Sequence, residues 1–173
     1  YKEGVKNMKR LVSESKLIIS EVMLPNQANV AGNIHGGEIM KLMDLAAYAV
    51  ARRYAHTNVV TARVDELEFH LPIFIGDLVI CTAQVAYAGK SSMEITVNVE
   101  VEDLECYDRK KALSAFFTMV SLDKKGKTSL VPELILNTPE EIAAFDEGKK
   151  RYEWYKSKRK QKTDNMTDKQ VNH

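Results

Sequence analysis

Two hydrophobic periods divide the chain. After Gly36-Gly37, apolar residues recur at helical spacing as Ile39, Met40, Leu42, Met43, Ala46, Ala47, Val50 and Ala51. This spacing predicts a helix over about 38–54, apolar around most of its circumference, as buried helices are. One narrow polar stripe runs along it: Lys41, Asp44, Tyr48 and Arg52. Elsewhere the period drops to two. Residues 12–24 read as a strand, with Leu17, Ile18, Ile19, Val22 and Met23 between polar ends. In 59–71, Leu67, Phe69 and Leu71 alternate with Glu66, Glu68 and His70. In 78–87, Val79, Cys81, Ala83, Val85 and Tyr87 form one face. Met93, Ile95, Val97, Val99 and Val101 alternate strictly with polar residues, the mark of a half-buried strand. Residues 112–122, with Phe116, Phe117, Met119 and Val120, form a more fully apolar strand.

Turn chemistry separates these segments at Pro25–Asn29, at Leu71–Asp77 and at Ala88-Gly89-Lys90-Ser91. Thr138-Pro139-Glu140-Glu141 opens a second helix, with Thr138 as its cap and Pro139 at its first position, running to about 158. One early strand, one long buried helix and four later strands make an α+β domain: an antiparallel five-stranded sheet wrapped around a central helix, with a C-terminal helix added. The expected division is an extension over 1–11, the domain over 12–125, a helical extension over 126–160 and a disordered tail over 161–173. No internal repeat or second domain is visible.

Composition narrows the function classes. A chain of 173 residues, 45% hydrophobic and 28% charged, suits one globular domain. A formal net charge of +1 supplies no global field toward nucleic acid or membrane. No apolar run reaches the roughly 18 residues of a membrane span. The Lys-rich start lacks the apolar core of a secretory signal. Cys81 and Cys106 have neither metal nor redox spacing, so reduced thiols in a cytoplasmic protein are expected. No His, Cys or carboxylate cluster has ligand spacing, and no metal is expected.

The chemistry concentrates where turn meets helix, at Asn29-Val30-Ala31-Gly32-Asn33-Ile34-His35-Gly36-Gly37. Glycines before a helix let a ligand approach bare backbone N–H groups, and the helix start favours negative charge. The Gly37 N–H suits an oxyanion hole, Asn29 taken alone reads as a turn residue, and Asp44 is the one acid inside the apolar run. Asp44 can act as general base or as nucleophile; alternatively it pairs with Lys41 on a solvated stripe. Gly37 and Asp44 lie on nearly the same helix face, roughly 10 Å apart along the axis. One helix therefore cannot easily present both to one carbon, whereas two antiparallel helices across a two-fold axis can. An active site here should be shared between subunits.

Ala28–Gly37, the following Lys41-Leu42-Met43-Asp44, Asn58-Val59-Val60-Thr61-Ala62 and Gly89-Lys90-Ser91-Ser92-Met93-Glu94 together resemble the hotdog acyl-coenzyme A thioesterases, of the cytosolic brain-type and bacterial short hexameric class. The similarity covers about residues 12–125. It implies hydrolysis of fatty acyl-CoA to a fatty acid and coenzyme A, with no cofactor beyond the coenzyme A of substrate and product. It implies catalytic roles for Asn29 and Asp44, acting from opposite subunits of a dimer, and a homo-oligomer built as a trimer of dimers. No nucleic acid or membrane partner is implied. Thr61 is expected as a third, catalytic polar group near Asp44, although as a β-branched strand residue it needs no function. His35 and Gly36 are expected to be structural or to face substrate. Gly89, Lys90, Ser91 and Ser92 form a polar tip suited to coenzyme A phosphates, with Arg63 a further candidate.

The basic run over 149–162, interleaved with Tyr152, Trp154 and Tyr155, admits a nucleic-acid reading. A solvated helix end with its aromatics packed on the sheet or on a neighbouring subunit fits better. Two rival functions remain in view: a hydroxyacyl-thioester dehydratase, against which the Asn29 motif argues, and a non-catalytic acyl-CoA sensor, for which the sequence offers no DNA-binding domain.

Overall fold

The computed structural model describes residues 8–171. Their order is β1 (Lys9–Leu11), α1 (Val12–Ser15), β2 (Leu17–Val22), a 3-10 turn at Pro25–Gln27, α2 (Gly36–Ala55), β3 (Asn58–Phe69), β4 (Leu78–Ala88), β5 (Ser92–Asp103), β6 (Asp108–Leu122), β7 (Glu133–Ile135) and α3 (Pro139–Val171). The main sheet is antiparallel with strand order β2-β4-β5-β6-β3, wrapped on α2: the hotdog fold. Its inner face carries Val79, Cys81, Ala83 and Val85 of β4, Met93, Ile95, Val97 and Val99 of β5, and Leu113, Ala115, Phe117 and Met119 of β6. These pack on Met43, Ala46, Ala47 and Val50 of α2. The alternation in the sequence predicts this face because side chains along a strand point alternately to opposite sides.

Residues 12–24 are not one strand. Val12–Ser15 makes a helical turn because polar side chains satisfy it locally: Leu11 N–H donates to Glu14 Oε2 at 3.0 Å, and Ser15 Oγ donates to Val12 O at 2.6 Å and accepts from Val85 N–H at 3.0 Å. The chain also forms a second, two-stranded sheet that its hydrophobic pattern does not predict. β1 pairs in parallel with β7, register Lys9↔Glu133 to Leu11↔Ile135. Three residues a side are too few to show a period.

Two bulges redirect side chains. In β4 the extra residue is Ala86, between the pairs Val85↔Ile95 and Tyr87↔Glu94. Tyr87 therefore leaves the inner face expected for it and meets Phe145 and Tyr152 of α3, centroids 5.0 and 5.4 Å away. In β3 the extra residue is Ala62, between Thr61↔Met119 and Arg63↔Thr118, and a further irregularity falls between Asp65 and Glu68, where Glu66 has φ +53°.

α3 begins as expected: Glu141 N–H donates to Thr138 Oγ1 at 3.2 Å. It continues to Val171, through the stretch expected to be disordered, since after Gly148 the chain holds no Gly or Pro to stop it. The expected disorder of 172–173 and the extension over 1–7 fall outside the described residues. α3 lies across the outer face of the sheet. Gly148 lets it approach closely: a Cβ there would come within 2.7 Å of Tyr87 Cβ and 2.9 Å of Glu94 Oε1.

Candidate active site

The loop before α2 is closed on itself. Asn29 N–H donates to Asn33 O at 2.7 Å, and Gly32 N–H, at φ +86°, donates to Asn29 O at 3.0 Å. Asn29 Oδ1 accepts from the N–H groups of Ala31 at 2.9 Å and Asn33 at 3.3 Å. The turn expected at Asn29 is thus real, and it uses only the carboxamide oxygen. The Nδ2 group has no partner among the described residues, so it remains a donor held in place by its own loop.

His35 caps α2 through its backbone. Its carbonyl accepts from Glu38 N–H at 2.9 Å and its N–H donates to Gln27 O at 2.9 Å, while its side chain makes no cap bond and is exposed. The N–H groups of Gly36 and Gly37 have no acceptor among the described residues, as the first amides of a helix do not. The two glycines differ. A Cβ on Gly36 would sit 3.1 Å from Phe69 Cζ, so packing within the chain explains it. A Cβ on Gly37 would meet nothing within 4 Å, so the chain itself does not require glycine there. Asn29 and Gly36 line a groove of about 400 Å³ whose apolar walls include Ile34, Ile39, Phe69 and Leu71. Asp44 does not line it.

Asp44 lies further along α2 and is half-buried. Thr61 Oγ1 donates to Asp44 Oδ1 at 2.7 Å and lies 3.4 Å from Met119 Sδ. The bulge at Ala62 makes this possible: it lets Thr61 face α2 while Arg63 faces away. Asp44 Oδ2 has no partner among the described residues. The alternative pair with Lys41 is not formed, since Lys41 Nζ stands 4.0 Å from Glu38. Around Asp44 the helix is less covered than its pattern predicts. Met40, Leu45 and Tyr48 are 41, 52 and 41% exposed.

One chain separates these groups. α2 runs antiparallel to β3, with Gly36 against Phe69 at one end and Arg52 Nη1 donating to Asn58 Oδ1 at 3.4 Å at the other. Extended chain from Phe69 to Thr61 spans about 25 Å. The tip Gly89–Ser92 is at the far end: Lys90 O accepts from Val131 N–H at 3.1 Å, and Pro132 O accepts from Tyr54 Oη at 2.9 Å. Gly89 N–H donates to Ser92 O at 2.8 Å, and Ser91 O accepts from Ser121 N–H at 2.9 Å, leaving Lys90 exposed on a fixed turn. The structure therefore brings together Asp44 with Thr61, and Asn29 with Gly36, but not the two pairs.

Arg63 is committed inside the chain. Its Nε donates to Asp65 Oδ2 at 2.6 Å, its Nη2 donates to Thr118 Oγ1 at 3.0 Å, and its Cζ lies 3.3 Å from the centroid of the Tyr155 ring. Glu94 closes the Gly89–Glu94 motif and alternation places it on the polar face, yet it is 4% exposed and bound by Arg151 Nε and Nη2 at 3.0 and 2.7 Å. Nothing in its local sequence signals that α3 covers it. Of the aromatics in the basic run, Tyr152 and Tyr155 pack on the sheet side and Trp154 is exposed.

The model of the thioesterase superfamily matches residues 31–107, the stretch from the loop through β5. A cytosolic acyl coenzyme A thioester hydrolase of Mus musculus is 39% identical over 155 residues; the match covers 88% of this chain, which spans only 41% of that protein's length. An acyl-CoA hydrolase of Staphylococcus aureus, solved with butyryl coenzyme A, coenzyme A and coenzyme A disulfide, superposes with a TM-score of 0.82 at 31% identity, over 91% of this chain and 96% of its own. The chain belongs to the thioesterase superfamily. A hexameric acyl-CoA thioesterase without ligand superposes at a TM-score of 0.83 and 30% identity, covering 87% of this chain and 97% of that one. The thioesterase fold thus accounts for the sheet, α2 and most of the C-terminal extension. Among the described residues, no helix is long and apolar enough to cross a membrane.

Proposed function

We propose that the chain hydrolyses the thioester of an acyl-coenzyme A, releasing a carboxylic acid and coenzyme A, at a site shared between two copies in a cytoplasmic homo-oligomer. The observation that carries this reading is the separation within one chain. Asn29, whose Nδ2 is free, lines the groove, and the free Gly37 N–H follows Gly36 at the start of α2, while the free carboxylate oxygen of Asp44 stands roughly 10 Å further along the helix. An antiparallel partner helix brings the donors of one copy to the acid of the other. The bare Met40, Leu45 and Tyr48 around Asp44, and the unexplained glycine at 37, are the surface such a partner covers. The Staphylococcus aureus hydrolase was also solved with an Asn, an Asp and a Thr each replaced by Ala, and the three altered positions follow one another at the sequence intervals of Asn29, Asp44 and Thr61.

The arrangement supports the following chemistry. Asn29 Nδ2 and the Gly37 N–H donate to the thioester oxygen, which gains charge as the carbonyl carbon becomes tetrahedral. Asp44 of the partner takes a proton from water through Oδ2, while Thr61 fixes Oδ1. The water oxygen bonds to the carbonyl carbon, the carbon–sulfur bond breaks, and the leaving sulfur takes the proton from Asp44. The tip Gly89–Ser92 offers Lys90, two hydroxyls and amides to the phosphates of coenzyme A. By the family likeness the dimers assemble in threes.

The decisive measurement is thiol release from a panel of saturated acyl-CoAs of increasing chain length, corrected for the exposed Cys106. Hydrolysis of at least one member, with acid and coenzyme A formed one for one, is expected. No release from any member overturns the reading.

A further inference from the structure

We propose that Tyr155 of α3, acting with Arg63 and Asp65, is a positioning residue for the Asp44–Thr61 pair; the proposal rests on the thioesterase reading and goes beyond it. Three side chains form a closed triangle on the outer face of the sheet. Arg63 Nε donates to Asp65 Oδ2 at 2.6 Å, Tyr155 Oη donates to Asp65 Oδ1 at 2.6 Å, and the Arg63 guanidinium lies 3.3 Å from the centre of the Tyr155 ring. Both carboxylate oxygens of Asp65 and the Tyr155 hydroxyl are paired in it. The Asp65 side chain is 8% exposed and the Arg63 side chain 21%, so the pairs are shielded from water. Arg63 also donates to Thr118 Oγ1 on β6, which ties the triangle to the neighbouring strand.

The placement gives the triangle its consequence. Arg63 is the first residue past the Ala62 bulge and Thr61 is the last before it. A bulge turns the residues on its two sides to opposite faces. Holding Arg63 on the outer face therefore holds Thr61 on the inner one, where its hydroxyl reaches Asp44. β3 needs this help. Within one chain it is an edge strand, paired only to β6, and its second irregularity at Glu66 takes a left-handed backbone that favours glycine. A strand with two register shifts has more than one way to pair, and a slip by one residue would carry Thr61 away from Asp44. α3 itself is fixed independently by Arg151 on Glu94 and by Gly148 against Tyr87, so Tyr155 is delivered to the triangle from a seated helix. The phenol is held above its usual titration range, first by the bond to Asp65, so it stays a donor at neutral pH.

The test is a double-substitution cycle on the full chain. Tyr155→Phe keeps the ring on Arg63 and removes only the hydroxyl, and Thr61→Val removes the hydroxyl that meets Asp44. Tyr155→Phe alone should lower kcat about tenfold, as small misplacements of a reacting group do, with KM within about twofold of wild type. In the Thr61→Val background the same change should have no further effect on kcat, because the route it acts through is already gone. Asp65→Asn serves as the second variant and should reproduce the loss of kcat and the lack of additivity. Circular dichroism and the melting temperature report whether each variant is folded. Unchanged kcat in folded Tyr155→Phe, or equal losses with and without the Thr61 hydroxyl, overturns the positioning role alone. A wild-type chain that hydrolyses no acyl-CoA overturns the thioesterase reading and this proposal with it.

Discussion

The Thr61 hydroxyl donates to one oxygen of Asp44 at 2.7 Å, across a sequence gap of 17 residues, and leaves the other oxygen free. That division of labour within one carboxylate makes the acid directional. One oxygen is fixed to β3 and the other is presented to whatever lies beside α2.

Asp44→Asn retains the acceptor for Thr61 and removes the proposed base. It is expected to lower kcat at least about 10²-fold while leaving the fold intact, as loss of a general base does. Thiol release and circular dichroism check the two halves of the statement. A folded variant with near-normal turnover ends the assignment.

Asn29→Asp separates the two jobs of that side chain. A carboxylate still accepts from Ala31 and Asn33, so the loop should keep its shape, but the Nδ2 donor is gone. Turnover should fall more than substrate affinity does, since the role proposed for the donor is on developing charge. A rise in KM alone, at unchanged kcat, would place Asn29 in ground-state binding.

Sharing of the site is tested by mixing Asn29→Ala with Asp44→Ala chains after refolding together. A mixed dimer holds one site with both lesions and one with neither. Random pairing gives half mixed dimers, each with one live site of two, so activity should recover to roughly a quarter of wild type. Mass spectrometry establishes that mixed dimers formed. Mixed dimers without recovery would put Asn29 and Asp44 in the same-chain site.

The two thiols should behave oppositely. Burial pushes the Cys81 thiol up to about 12, whereas Cys106 is exposed on the β5–β6 turn. One thiol per chain should react promptly with an aromatic disulfide at pH 8, and two after denaturation. The same burial has a sign in stability. The folded chain binds the Cys81 proton more tightly than the unfolded chain, so this contribution is whole below about pH 8.5 and falls away as pH rises toward 12. The urea midpoint should therefore drop between pH 8 and pH 10.5; a flat midpoint contradicts it.

Gly148→Ala tests the seating of α3. The added methyl would meet Tyr87 Cβ at 2.7 Å, a position with no free rotation to escape by. A loss of about 1–3 kcal/mol is expected, the usual cost of overpacking, read from urea unfolding. Stability equal to wild type would mean that the helix can rise off the sheet without penalty.

What the sequence shows and hides follows from these same residues. Ile95, Val97 and Val99 announce β5 because each sits two positions from the next, and Gly36-Gly37 announces α2 because the pattern changes period there. A bulge leaves no such mark. Ala62 and Ala86 are unremarkable letters, yet each shifts the phase behind it, so Arg63 and Tyr87 end on the face opposite to the one alternation assigns. The candidate site was legible where its parts are neighbours in sequence, from Asn29 to Asp44. The bond between Tyr155 and Asp65 closes across 90 residues, beyond the reach of any local period.

If Met40, Leu45 and Tyr48, exposed in the isolated chain, are the surface of the proposed dimer, the protein depends on its own concentration. Association hides that surface and so stabilises only the assembled form, by mass action. Where the reacting groups sit on different copies, dilution would remove the catalyst before it unfolds the chain. Specific activity would then rise with enzyme concentration and level off above the dimer dissociation constant, so the cell's supply of the chain would set how much of it is an enzyme at all.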